Sequence, residues 1–213
     1  MQTRPSQAAN AGFTLIEILA VMMILAILGV FLIRSGAGAV SSVDIRRTET
    51  FLQEIGGLVD DYNNEFSAYP PSTFASDLEH KPSKTNEGIE SLVITLWRDG
   101  AEWQAREISE EYLGNIDGDS TRKSVTTFSS PSAFELLDVW GNPIAYIHRR
   151  DYDKEFTYLT LDPESNDVES RVKGLISSKT GDPYRRMSYQ LISAGPDGEF
   201  DTDDDLANFE IER

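Results

Sequence analysis

The sequence predicts an α+β fold: a long N-terminal α-helix, membrane-spanning in its first half and amphipathic in its second, packed on a head with a small antiparallel β-sheet. Three observations carry this reading. An apolar run extends from Phe13 to Ile33 and holds a single charge, Glu17. Beyond it, Phe51, Ile55, Leu58, Tyr62 and Phe66 recur at spacings of three and four, one face of a helix. The C-terminal half carries short alternating runs rich in aromatic and β-branched residues, bounded by turn formers.

Residues 1–12 form a polar leader ending in Gly12. The run 13–33, about 21 residues at about 1.5 Å rise each, would span about 31 Å, the hydrocarbon thickness of a bilayer. A secretory signal has a shorter apolar stretch and is cut after it; here the plausible cut precedes the run, between Gly12 and Phe13. A plain anchor explains the length but not Glu17, since a carboxylate inside an apolar segment is costly and usually has a task. A cation such as the amine freed on a neighbouring subunit would offset that cost and set the register of packed helices.

Residues 34–66 continue the helix as an amphipathic half. Gly36, Gly38, Gly56 and Gly57 are either bend points or small residues for close packing. Glu49, Glu54, Asp60, Asp61 and Asn64 lie opposite the apolar face, and the helix ends before Tyr69-Pro70-Pro71. The head comprises 67–213. Trp140-Gly141-Asn142-Pro143 is a turn, followed by strands over about 144–149, 156–161 and 187–192. Bulky core candidates are Phe51, Ile55, Leu58, Tyr62, Trp140, Ile144, Tyr146, Tyr158, Leu191 and Phe209.

Formal net charge is −17 and there is no cysteine. Such acidity argues against nucleic acid as a partner. Without disulfides, a head outside the cytoplasm is held by its core or by a metal. The loop 195–209 contains Asp197, Glu199, Asp201, Asp203, Asp204 and Asp205 with no basic residue between them. Ca²⁺ takes six to eight oxygen ligands, and the spacing with Gly195 and Gly198 can wrap such an ion, although it is not an EF-hand. Asn115-Ile116-Asp117-Gly118-Asp119-Ser120 offers too few following acceptors for a second such loop and reads as a polar turn. With only His80 and His148, no cysteine, and no glycines flanking Ser193 as a nucleophile elbow requires, no catalytic constellation emerges. No enzyme is expected.

Gly12-Phe13-Thr14-Leu15-Ile16-Glu17 and the run behind it resemble the prepilin and pseudopilin superfamily of type IV pilin-like proteins. Further stretches are similar to the G-type major pseudopilin of type II secretion systems: Leu58 to Pro70, Asn86 to Val93, Asp138 to Tyr146 (with Val139 where the family has Pro), and Leu191 to Gly198 leading to Asp205-Leu206-Ala207-Asn208-Phe209. The resemblance implies cleavage between Gly12 and Phe13 by a prepilin peptidase, N-methylation of Phe13, and assembly guided by Glu17. It implies a structural Ca²⁺ held by Asp197, Asp203 and Asp205, with Asp201 and Asp204 as the remaining candidates. It further implies an inner-membrane subunit, N-terminus cytoplasmic and head periplasmic, that self-associates into a pseudopilus with other pseudopilins and an assembly platform. Stretches near 97–134 and 162–186 exceed the family's compact form and read as loop insertions. The competing functions are a type IV pilin or minor pilin for adhesion, motility or DNA uptake, and a membrane-anchored calcium-dependent module that does not polymerise.

Overall fold

The computed structural model describes residues 15–212; in the first helix, side chains are described at positions 19, 21–23 and from 42 onward. Gly12, Phe13 and the side chain of Glu17 lie outside the described residues. The chain divides into two compact units, Met1–Ser42 and Val43–Arg213, and one helix, α1 (Leu15–Phe66), contributes to both. In the first unit, Leu19, Val21, Met22 and Met23 are exposed. Among the described residues no helix is long and apolar enough to cross a membrane; the expected span, 13–33, falls largely outside the described side chains.

In the second unit the apolar face of α1 is buried as its spacing predicts: Phe51, Leu52, Ile55, Leu58 and Val59 enter the core. Each such side chain contributes about 1.5–3 kcal/mol relative to exposure. Tyr62 is half-buried and Phe66 is exposed, its ring lying 4.5 Å from that of Tyr62 and 5.9 Å from that of Trp103. The helix runs through Gly56 and Gly57 without a break. Gly56 serves close packing, because its carbonyl accepts the Tyr189 hydroxyl at 3.0 Å and an added Cβ would press on that oxygen. The helix closes at Ser67, which takes a positive φ and donates to the Asn63 carbonyl.

A second helix, α2 (Glu87–Leu96), packs against the strands of the head, and its residues from Gly88 to Ile94 are buried. Asn86 caps it in the left-handed conformation while its side chain bonds outward. At Gly88 a Cβ would collide with the Tyr146 carbonyl and the Tyr158 hydroxyl, so α2 reaches the sheet only with glycine there.

The strands are β1 (Leu113–Gly114), β2 (Glu135–Leu136), β3 (Ala145–His148), β4 (Phe156–Leu161), β5 (Asp167–Val172), β6 (Tyr189–Ser193) and β7 (Leu206–Ala207). All pairings between them are antiparallel, and they form three small sheets rather than the expected one: β1–β2, β4–β5 and β3–β6–β7. β3 does not pair with β4, its neighbour in sequence. The chain leaves β3 through a 3-10 turn at Arg149–Asp151, and β4 finds its partner in β5. The stretch 162–186, expected as a loop, thus supplies a strand. The stretch 97–134 also does more than loop out: Trp97 is buried, and Tyr112 stacks on Phe51 with ring centroids 4.0 Å apart. Of the core candidates, Trp140 and Phe209 are half-buried; Ile144, Tyr146, Tyr158 and Leu191 are fully enclosed.

Candidate functional site

The acidic C-terminal loop is built from its base upward. β6 and β7 pair through Ile192 with Ala207 and Ser193 with Leu206, which closes residues 194–205 into a loop. Below it, the Trp-Gly-Asn-Pro turn is fixed by Asp138, whose Oδ1 accepts the backbone N–H of Trp140 and of Asn142, both at 3.0 Å. The Ser193 hydroxyl donates to Asp138 Oδ2 at 2.6 Å, tying turn to strand. Burial pushes the Asp138 carboxyl up to about 6 despite these donors. Asn142 reaches across to β4, accepting from Leu161 N and donating to Leu161 O.

Within the loop the carboxylates organise backbone. Asp197 Oδ1 accepts from Glu199 N at 2.8 Å, Asp204 Oδ2 from Asp197 N at 3.1 Å, and Asp205 Oδ2 from Asp201 N at 2.9 Å. Thr202 donates its hydroxyl to Asp204 Oδ1 at 2.5 Å. Gly195 and Gly198 both take positive φ, and at Gly195 a Cβ would strike the Asp204 backbone. Asp205 is buried, and its carboxyl is raised to about 7, first by desolvation, with the charges of Asp204 and Asp197 adding to the effect. Asp201 and Asp203 are exposed. The groups that act on one another here are Asp197, Asp204 and Asp205, so Asp204 takes the inward place expected of Asp203. This set fits a cation in its chemistry, hard oxygens raised in energy by mutual repulsion.

Carboxylate oxygens converge more tightly elsewhere. One oxygen each from Glu90, Asp117 and Glu135 lie within 4.8 Å of one another, and among the described residues no other acidic or histidine group does so. Glu90 comes from α2, Glu135 from β2, and Asp117 from the loop after β1. Asn86 donates its amide to Glu135 Oε1 at 2.9 Å while Ile116 N bonds the same carboxylate, and Asn86 Oδ1 accepts Leu159 N at 2.9 Å. Ser83 donates its hydroxyl to Asp117 Oδ2 at 2.9 Å and its backbone N–H to Asp119 Oδ2 at 2.5 Å. Burial pushes Glu90 up to about 11, helped by the charges of Asp119, Asp117 and Glu135; burial raises Glu135 to about 7 against the donors it accepts from. The Asn115–Ser120 segment was the only local signal of this cluster. It looked too poor in acceptors because the others come from positions 90 and 135.

Residues 7–33 match the family model of the prokaryotic N-terminal methylation motif. No curated protein and no solved structure gives a match. The motif supports a type IV pilin-like assignment, and with it processing by a prepilin peptidase, a membrane-anchored N-terminus and pilus-type assembly. Gly12, Phe13 and Glu17 all fall inside the matched residues.

Proposed function

We propose that this chain is a structural subunit of the periplasmic pseudopilus of a type II secretion system. A prepilin peptidase cuts between Gly12 and Phe13, Phe13 is methylated, and the apolar helices leave the inner membrane to pack as the filament core. Glu17 meets the Phe13 amine of a neighbouring subunit and fixes the axial step, a pairing that offsets the cost of burying either charge alone. The heads cover the filament, which works with other pseudopilins and an assembly platform to move exoproteins through an outer-membrane channel. Ca²⁺ in the C-terminal loop, held by Asp197, Asp205 and Asp204 with Asp201 and Asp203 at its rim, is the staple that cysteine does not provide. The role is structural, with no catalysis.

The observation that carries this reading is the methylation motif at residues 7–33, set on an α+β head whose core is built on the same helix. The test is Glu17→Ala in the native host. The variant chain should be cut and accumulate with its head folded, yet give no filaments and leave exoproteins in the periplasm. Filaments at the wild-type level would refute the register pairing. Normal secretion with lost surface pili, in a strain deleted for the gene, would assign the chain to a type IV pilus instead. Mass spectrometry should find a mature chain beginning at N-methylated Phe13.

A further inference from the structure

We infer that Glu90, Asp117, Asp119 and Glu135 form a second binding site, for a hard divalent cation of the calcium class, distinct from the C-terminal loop. This inference does not rest on the pseudopilus reading. Two oxygens sharing one Ca²⁺ at about 2.3–2.6 Å lie at most about 5 Å apart. The separation of no more than 4.8 Å among the Glu90, Asp117 and Glu135 oxygens is that of a common coordination sphere.

The independent observation is what these oxygens lack. Glu90 is 0 % exposed, and neither of its carboxylate oxygens has a hydrogen-bond partner; Asp119 Oδ1 and Asn115 Oδ1 are buried and unpartnered as well. Buried acceptors are almost always paired, and each exception requires an explanation. No basic side chain supplies one, since none of the ion pairs among the described residues involves Glu90, Asp117, Asp119 or Glu135. The donors that are present do something else. Asn86, Ile116 N and Ser83 hold Glu135, Asp117 and Asp119 from behind, as outer groups orient metal ligands. Glu90 receives no such donor and faces the other carboxylates.

The donor set is all oxygen, with no histidine or cysteine, which excludes the zinc chemistry of N and S ligands. Mg²⁺ demands a near-ideal octahedron and retains water, whereas Ca²⁺ accepts a many-carboxylate shell of irregular shape. Asp117 and Asp119 are only half-buried, so the site opens to solvent along the 115–120 loop. A proton shared between Glu90 and Asp119 is the rival occupant. It would satisfy one pair of oxygens and leave the convergence of Asp117 and Glu135 unexplained.

The test counts bound Ca²⁺ by equilibrium dialysis on the full chain in detergent micelles, stripped with EGTA and desalted. Wild type should bind one equivalent more than Glu90→Gln/Glu135→Gln, whatever the C-terminal loop binds. Asp205→Asn should retain that equivalent, and tenfold excess Mg²⁺ should not displace it. Equal stoichiometry in wild type and in the folded double amide variant would overturn the site in favour of the shared proton. Should the variant not fold, wild-type crystals soaked in Tb³⁺ decide the matter. Anomalous density among Glu90, Asp117 and Glu135 upholds the site, and its absence there refutes it.

Discussion

The loop between β6 and β7 concentrates its acid in sequence, whereas the cluster beneath α2 concentrates it in space. In the loop, neighbouring aspartates diverge. They hook backbone N–H groups within a few residues of themselves, and Asp201 and Asp203 face solvent. In the cluster, a helix, a strand and a loop each deliver a carboxylate to one buried point. Short acidic residues packed along a flexible segment relieve repulsion by turning outward or capping the backbone. Carboxylates fixed on rigid elements cannot, so their repulsion persists until a cation or a proton enters. Local acidity therefore measures loop chemistry, and convergence measures the strength of a site.

The largest expected effect comes from breaking the cluster's frame at Asn86. Asn86→Ala removes the donor to Glu135 and the acceptor for Leu159 N, and it forces Ala into the positive φ that Asn86 adopts. Unpaired buried groups and the left-handed backbone together cost about 3–4 kcal/mol. Chemical unfolding of the full chain in mild detergent, followed by tryptophan fluorescence, measures it. Asn86→Gly loses the same bonds without the backbone penalty and should fall about 1 kcal/mol short of that. Equal losses would mean that the φ is not strained in alanine.

The corresponding cut on the loop side is Ser193→Ala. It strips Asp138 Oδ2 of its 2.6 Å hydroxyl donor and Gly195 N of its acceptor. The expected loss is about 2 kcal/mol, below that of Asn86→Ala, because Asp138 keeps the Trp140 and Asn142 donors. If Ser193→Ala proves the more damaging, the loop is the more tightly built region and the contrast drawn above is reversed.

Much of the fold was legible because period carries it. Phe51, Ile55 and Leu58 repeat at helical spacing and are buried, and alternation in Phe156–Leu161 gives a strand buried at every second residue. The turn at Trp140-Gly141-Asn142-Pro143 followed from residue chemistry alone, with Gly141 at a positive φ. Strand partnership was not legible. β5 reads DVESRV, polar on its exposed positions, and nothing local says that it pairs with β4. Phe66 continues the apolar period but extends past the core it would enter, and so remains exposed. The cluster was illegible for the deepest reason: Glu90 looks like one more helix surface acid until α2 is placed, and only tertiary packing turns it inward. Asp203 was favoured in the loop by position in a pattern, while Asp204 is the one whose carboxylate bonds Asp197 and Thr202.

The smallest effect separates the two acidic regions from the rest of the head by pH. His148 is buried, and its Nδ1 accepts Arg150 N at 3.1 Å, which only the neutral ring can do. Desolvation lowers its pKa, and the charges of Arg150 and Arg149 add to this against Asp151, whose own carboxylate is engaged by Ser72 and Lys154. A histidine held neutral contributes stability that is complete above the unfolded value of about 6.5 and is lost as pH falls through it. Glu135 and Asp205, both raised to about 7, act in the opposite sense: protonated carboxyls favour the fold, and that benefit disappears as pH rises through about 7. The raw pH profile of the wild type mixes these slopes. Subtracting the profile of His148→Asn, which keeps an acceptor for Arg150, isolates the histidine. Between pH 7.5 and 5.5 the wild type should lose up to about 1 kcal/mol relative to that variant. A difference of the opposite sign would mean that Asp151 outweighs burial at His148, and it would leave less of the acid-side profile to the two carboxylate regions.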